Sequence, residues 1–169
     1  MIEIKRLTIE YHEEFRLLNR KVREALNDTS WFMPLSEKNI DNMFDPSSTL
    51  VVYGAIVDGT LAAVSLFDTC KEEYQPLAEA VNVPCCQKGA ELGASMVLPQ
   101  YRGQNLMLAI NTQLISAAKE MGIEYFVATA HPDNLASNSS LKKLGMSYIT
   151  TITRHGGYIR NVYYMDIAK

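Results

Sequence analysis

The stretch best suited to chemistry is Gln100-Tyr101-Arg102-Gly103-Gln104-Asn105-Leu106. Before it lies an apolar run with Leu92, Met96, Val97 and Leu98, which suits a buried strand, and Pro99 ends that strand by removing a ladder donor. After it Met107, Ile110, Leu114, Ala117 and Met121 recur at spacings of three and four, one face of a helix that Gly122 can terminate. The turn therefore stands at a helix start, where unpaired N–H groups and a partial positive charge attract anions. Gly103 permits close approach, Arg102 adds a positive charge, and no Asp or Glu occurs from Leu92 through Lys119 in a chain with 19 acidic residues. The same residues also describe an ordinary strand-to-helix loop, and taken alone they leave both readings open. No Lys-Ser or Lys-Thr pair and no second or third glycine follows, so the nucleotide-triphosphate loop and the dinucleotide fingerprint are excluded.

This stretch resembles the coenzyme A loop of the GNAT superfamily of acyl-CoA N-acyltransferases. That pattern is Gln or Arg, two residues, Gly, one residue, then Gly or Ala, and Gln100, Gly103 and Asn105 stand at those positions. Asn105 departs from it by carrying a side chain. Asn134, with Ser137 three residues later and Gly145-Met146 closing the segment, resembles the family's second motif. The resemblance spans the chain and implies one N-acetyltransferase domain over residues 1–169. Its fold would be α/β (α+β), a mixed central sheet of about seven strands flanked by about four helices, with splayed central strands. Acyl-CoA would enter the splay. Met96, Val97 and Leu98 would offer backbone groups to its arm, the amides of Arg102, Gly103, Gln104, Asn105 and Leu106 would hold its pyrophosphate, and Asn134 with Ser137 would reach it from the other side.

The activity so implied is transfer of an acetyl group from acetyl-CoA to a primary amine, on a small molecule or a peptide, by direct attack through a tetrahedral intermediate. The amine must be neutral to attack, the leaving thiolate can take a proton, and the oxyanion needs a donor such as the Val97 N–H. Glu91, at the head of the central strand, is the candidate base; a solvated strand-end carboxylate is the alternative. Family members often carry a tyrosine acid seven residues after the motif Asn, where this chain has Leu141. Tyr148 is the candidate replacement, with Tyr163 beside it, although strand tyrosines commonly serve packing. His131, before Pro132, is either a base or a solvated turn residue. An acyl-enzyme at Cys85 or Cys86 lacks an adjacent activating His. Asn105 and Leu141 also motivate a second function, an acyl-CoA-binding sensor with little or no turnover, and a third is an interaction domain without ligand.

The positioning elements follow from pattern. Residues 2–7 alternate as a half-buried strand. Thr8 offers a cap to a helix of about five turns bearing Phe15, Leu18, Val22 and Leu26 on one face, broken at 27–34. Trp31 and Phe32 in that break either close the core or line an acceptor pocket. Ser36 opens a short helix to Phe44, and Asp58-Gly59 joins two β-rich runs, 50–57 and 61–67, as a hairpin. The pattern fails over 68–90 apart from a helix at 76–81, so that stretch reads as a lid, an acceptor-binding segment, a dimer contact or a plain insertion. Its acids Asp68, Glu72 and Glu73 could attract a cationic amine. A strand at 125–130, a helix at 135–144 capped by Gly145, and a hairpin of 148–153 with 158–167 complete the order.

A net charge of -3 gives no cause to expect nucleic-acid binding. The three cysteines are odd in number and lack zinc-site spacing, so free thiols and no metal are expected. No apolar run reaches the roughly 18 residues of a membrane span and the N-terminal residues lack a signal-peptide pattern, which points to the cytoplasm and away from membranes. A homodimer, frequent in the resembled family, is a further expectation.

Overall fold

A computed structural model describes residues 1–33, 35–84 and 87–168; the expectations for Pro34, Cys85 and Cys86 lie outside the described residues. The strands are β1 (Ile2–Arg6), β2 (Leu50–Val57), β3 (Thr60–Asp68), β4 (Gly89–Val97), β5 (Tyr125–Ala130), β6 (Ser147–Arg154) and β7 (Tyr158–Asp166). They form a seven-stranded sheet in the order β1-β2-β3-β4-β5-β7-β6, with β4 and β5 parallel and every other neighbouring pair antiparallel. The helices among the described residues are α1 (His12–Glu24), α2 (Glu37–Met43), α3 (Lys71–Ala80), α4 (Leu106–Glu120) and α5 (Leu135–Leu144).

Local chemistry explains most boundaries. Ser36 and Asn39 form a capping box at the head of α2, each side-chain oxygen accepting from the other's N–H. Asp58 and Gly59 both take positive φ, as a two-residue hairpin requires. Gly145 ends α5 in the left-handed conformation at φ 101°. One face of the sheet carries α4 and α5, with Leu106, Ile110, Leu114 and Leu141 packed on Phe67, Ala90, Leu92, Phe126, Ala128 and Tyr163. On the other face α1 and α2 press Phe15, Leu18, Val22, Ile40 and Met43 onto Val52, Val64, Leu66 and Met96. Fully burying one such side chain contributes about 1.5–3 kcal/mol.

Three expectations are corrected. The region 68–90 contains a full helix from Lys71, not a short one at 76–81. Pro76 sits inside it, and Leu77 and Ala78 are buried against Tyr125, Val127 and Val162, so tertiary burial outweighs the proline. That packing makes 71–80 a layer of the core. The first helix has 13 residues, because a 3₁₀ turn at Ile9–Tyr11 takes the place of its opening turn. The central strand begins at Gly89, which places Glu91 opposite Val127 inside the β4–β5 ladder.

Candidate active site

The β4–β5 ladder runs from Gly89 opposite Tyr125 to Leu92 opposite Ala128 and stops there. Beyond it β4 stays with β3 across a bulge that sets Ala94 and Ser95 of β4 against Ser65, and β5 stays with β7, so Gly93–Val97 and Thr129–Ala130 diverge. The Leu98 N–H donates to the Ala62 carbonyl at 2.9 Å. Strand alternation therefore turns the Val97 N–H and C=O the other way, into the opening. Met96 and Leu98 are buried, and the backbone of both faces β3.

At the end of β4 the chain makes a 3₁₀ turn at Pro99–Tyr101 and enters α4 through Asn105. The N–H groups of Gly103, Gln104, Asn105 and Leu106 donate to no group among the described residues, while that of Arg102 closes the 3₁₀ turn on the Pro99 carbonyl at 3.3 Å. Gly103 has φ +78°, and a Cβ there would meet nothing within 4 Å, so the space beside it is open. Asn105 has φ 57°. That left-handed region is where Asn is tolerated best among residues other than glycine, so its side chain is compatible with the turn. Unpaired N–H groups at a helix start suit an anion.

Across the opening Asn134 caps α5, its Oδ1 accepting from the Ser137 N–H at 3.2 Å. Sequence reasoning missed the residue that fixes this turn. Buried Asn138 donates through Nδ2 to the carbonyls of His131 at 2.8 Å and Asn134 at 2.8 Å, and its Oδ1 accepts from the Tyr163 hydroxyl at 2.6 Å and Asn161 Nδ2 at 3.0 Å. Its place one turn after Asn134 on the same helix face was the available signal.

Glu91 faces the α1–α3 side. Arg154 of β6 grips both of its carboxylate oxygens, at 2.7 and 3.3 Å, and also reaches the Glu73 carbonyl at 3.4 Å. Burial pushes the Glu91 carboxyl above its ordinary value of 4.5, Arg154 pulls it back, and Glu73 and Asp68 add to the rise. Arg154 has no neighbour in sequence that foretells this contact. Tyr148 pairs with Tyr163 in the β6–β7 ladder, whereas Glu91 pairs with Val127 and Val127 with Tyr164. Tyr148 and Glu91 therefore project from opposite faces of the sheet. The Tyr148 hydroxyl meets Thr151 Oγ1 at 3.0 Å, and Leu141 is buried. Burial raises the Tyr163 hydroxyl above its ordinary value.

On the Glu91 side, Trp31 stacks on His131 with centroids 6.3 Å apart, just past the end of β5. The Asp133 N–H donates to His131 Nδ1 at 3.1 Å. Arg160 of β7 donates to the Ser30 carbonyl at 2.9 Å and holds the Trp31 turn to the sheet. Acids at the end of β3 and the start of α3 are engaged locally: Asp68 accepts from the Cys70 N–H and Glu72 from the Cys70 thiol. No cluster of three or more metal-ligating side chains and no helix long and apolar enough to cross a membrane occurs among the described residues.

The Acetyltransferase (GNAT) family profile matches residues 8–146. No curated protein sequence matches this chain significantly. Solved structures similar to it include an N-acetyltransferase from Staphylococcus aureus Mu50, at TM-score 0.76 and 16% identity over 100% of this chain and 99% of that one. The ribosomal-protein-S18-alanine N-acetyltransferase from Escherichia coli is similar at TM-score 0.73 and 17% identity, covering 100% and 96%. Arabidopsis thaliana NAA60, in complex with a bisubstrate analogue, is similar at 0.74 and 11%, covering 98% of each chain.

Proposed function

The chain belongs to the GNAT acetyltransferase family, and from that membership we propose that it transfers an acetyl group from acetyl-CoA to the primary amine of a small molecule or a peptide. The observation that carries the proposal is the divergence of β4 from β5 beside a helix N-terminus whose N–H groups from Gly103 to Leu106 lack partners among the described residues. These N–H groups would hold the pyrophosphate. Asn134, Ser137 and the backbone of Val97 would line the path of the arm, with Met96 and Leu98 forming its wall.

In the reaction a C–N bond forms as the thioester C–S bond breaks. The amine loses a proton to a base, and the thiolate leaves and is protonated from solvent or a side chain. Val97 contributes its N–H to the oxygen that gains negative charge. Glu91 is the proposed base, directly or through water, and its raised proton affinity supports that role. Tyr148 is the proposed acid; it lies on the face that carries α5, away from Glu91.

A sensor that binds acyl-CoA without turnover is favoured by two observations. Arg154 holds both Glu91 oxygens, and Leu141 stands buried where the family's acid commonly is. The test measures thermal stabilisation by acetyl-CoA and then thiol release against a panel of amines. Stabilisation with acceptor-dependent thiol release supports the transferase. Stabilisation without release supports the sensor, and absence of stabilisation removes both.

A further inference from the structure

We propose that the side-chain hydroxyl of Ser95 donates a hydrogen bond to the thioester carbonyl oxygen of bound acetyl-CoA and shares with the Val97 N–H the charge that this oxygen gains; this rests on the transferase reading and adds a catalytic residue to it. Ser95 stands in the middle of the central sheet, where side chains are ordinarily covered. Among the described residues it is the only exposed one of β4 and β5, and β3 exposes only its first residue, Thr60. The exposure has a local cause, since Ser95 lies within Gly93–Val97, the part of β4 that β5 has left. The bulge then aims it. Leu92 and Val97 both pack on the α4 side although they are an odd number of positions apart, while Met96 packs on the α1 side. Regular alternation from Leu92 would turn Ser95 into the apolar layer under α1. The extra residue turns it to the α4 side instead, where its Oγ meets Ser65 Oγ at 2.8 Å.

Burial fixes the direction of that bond. Ser65 is fully buried, and Ser95 is the one partner of its hydroxyl among the described residues. A buried hydroxyl hydrogen without an acceptor is costly, so Ser65 donates and Ser95 accepts. The Ser95 O–H is thereby left free to donate into the opening, and accepting one bond strengthens it as a donor of another. Alternate residues of a strand have Cα atoms about 7 Å apart, and the Val97 nitrogen lies on the near side of its Cα, so one oxygen can sit about 3 Å from both donors. No Asp or Glu occurs from Leu92 through Lys119, and Glu91 is drawn to Arg154 on the opposite face, so the charged oxygen meets no carboxylate from its own strand and loop. When the amine attacks, the C–N bond forms and a carbonyl electron pair moves onto the oxygen, where both donors meet it. That pair returns as the C–S bond breaks and the sulfur leaves with the bonding electrons. Ser95 keeps its proton throughout.

The experiment binds acetyl-CoA labelled with carbon-13 at the thioester carbonyl and records its resonance, so no acceptor is needed. The expected result is a downfield displacement of the bound carbonyl in wild-type protein relative to free acetyl-CoA. The displacement should be largely lost in Ser95→Ala, restored in Ser95→Thr and mostly retained in Ser65→Ala. Both alanine variants remove the Ser65–Ser95 bond, so a role confined to joining β3 to β4 would affect them equally. Affinity for coenzyme A itself, which lacks the thioester carbonyl, should be the same in wild type and Ser95→Ala by calorimetry. With an amine that the panel finds to be acetylated, Ser95→Ala should lower kcat about 100-fold, the loss typical of removing one such donor. A wild-type carbonyl signal at the position of free acetyl-CoA, equal signals in wild type and Ser95→Ala, or equal losses in the two alanine variants overturns the assignment of Ser95 and leaves the transferase reading standing. The first of these outcomes reads wild-type protein, so it holds even if a variant fails to fold. Absence of acetyl-CoA binding to wild-type protein overturns the transferase reading and this proposal together.

Discussion

Replacing Arg154 by Met should destabilise the protein in a strongly pH-dependent way. Arg154 and Glu91 are 12% and 19% exposed in their side chains and meet at 2.7 Å, so the pair is shielded from solvent. Removing one partner of such a pair leaves a buried charge and costs about 3–5 kcal/mol, a large share of the roughly 5–15 kcal/mol by which domains are stable. The sign follows from proton affinity. Burial already holds Glu91 above its ordinary value, and losing Arg154 removes the influence that lowers it, so Glu91 in the variant rises further. A carboxyl with a raised folded-state value favours folding below the unfolded value and loses that contribution as pH rises through the folded one. The deficit of the variant against wild type should therefore be small near pH 4.5, where Glu91 is protonated in the variant, and approach its full size by pH 8. Urea unfolding at a series of pH values measures it. Arg154→Met with Glu91→Met, which fills the space with apolar groups, should recover most of the loss at pH 8. A deficit of equal size at pH 4.5 and pH 8, or no recovery in the double variant, would refute the account of this pair.

Gly103→Val should leave the fold intact at a cost of about 1–2 kcal/mol for positive φ, since its Cβ meets nothing. Loss of two charge-assisted hydrogen bonds at about 1.5 kcal/mol each should weaken acetyl-CoA binding at least 100-fold by calorimetry; retained affinity would mean the pyrophosphate lies elsewhere. Asn105→Gly should keep acetyl-CoA affinity and change stability by only a few tenths of a kcal/mol, because φ 57° suits both residues. Glu91→Gln should depress kcat at neutral pH, with recovery as pH rises and the amine deprotonates in solution; an unchanged pH–rate profile excludes Glu91 as the base. Asn138→Leu should cost at least about 2 kcal/mol by chemical denaturation, since it strands the Tyr163 hydroxyl and two carbonyls, and it should also weaken acetyl-CoA binding by loosening the Asn134 turn.

Local chemistry made much of the molecule legible in advance. Ser36, the Asp58-Gly59 pair, Pro99, Gly103 and Gly145 each mark a boundary through an interaction within a few residues, so they can be read one at a time. The loop proposed to hold coenzyme A was legible for the same reason: strand, glycine turn and helix start are contiguous in sequence, as are the α5 cap at Asn134 and its Ser137 partner. Helix α3 was not, because Pro76 breaks the local signal and only burial of Leu77 and Ala78 on β5 and β7 restores it. Contacts between distant residues were hidden entirely. Glu91 with Arg154 lies 63 positions apart, and Arg160 with Ser30 lies 130 apart. The side of the sheet on which a residue acts depends on register and bulges, since a shift of one residue reverses every side chain. The types of Glu91 and Tyr148 marked them as able to carry protons, but only the ladders put them on opposite faces and turned the Val97 N–H into the opening.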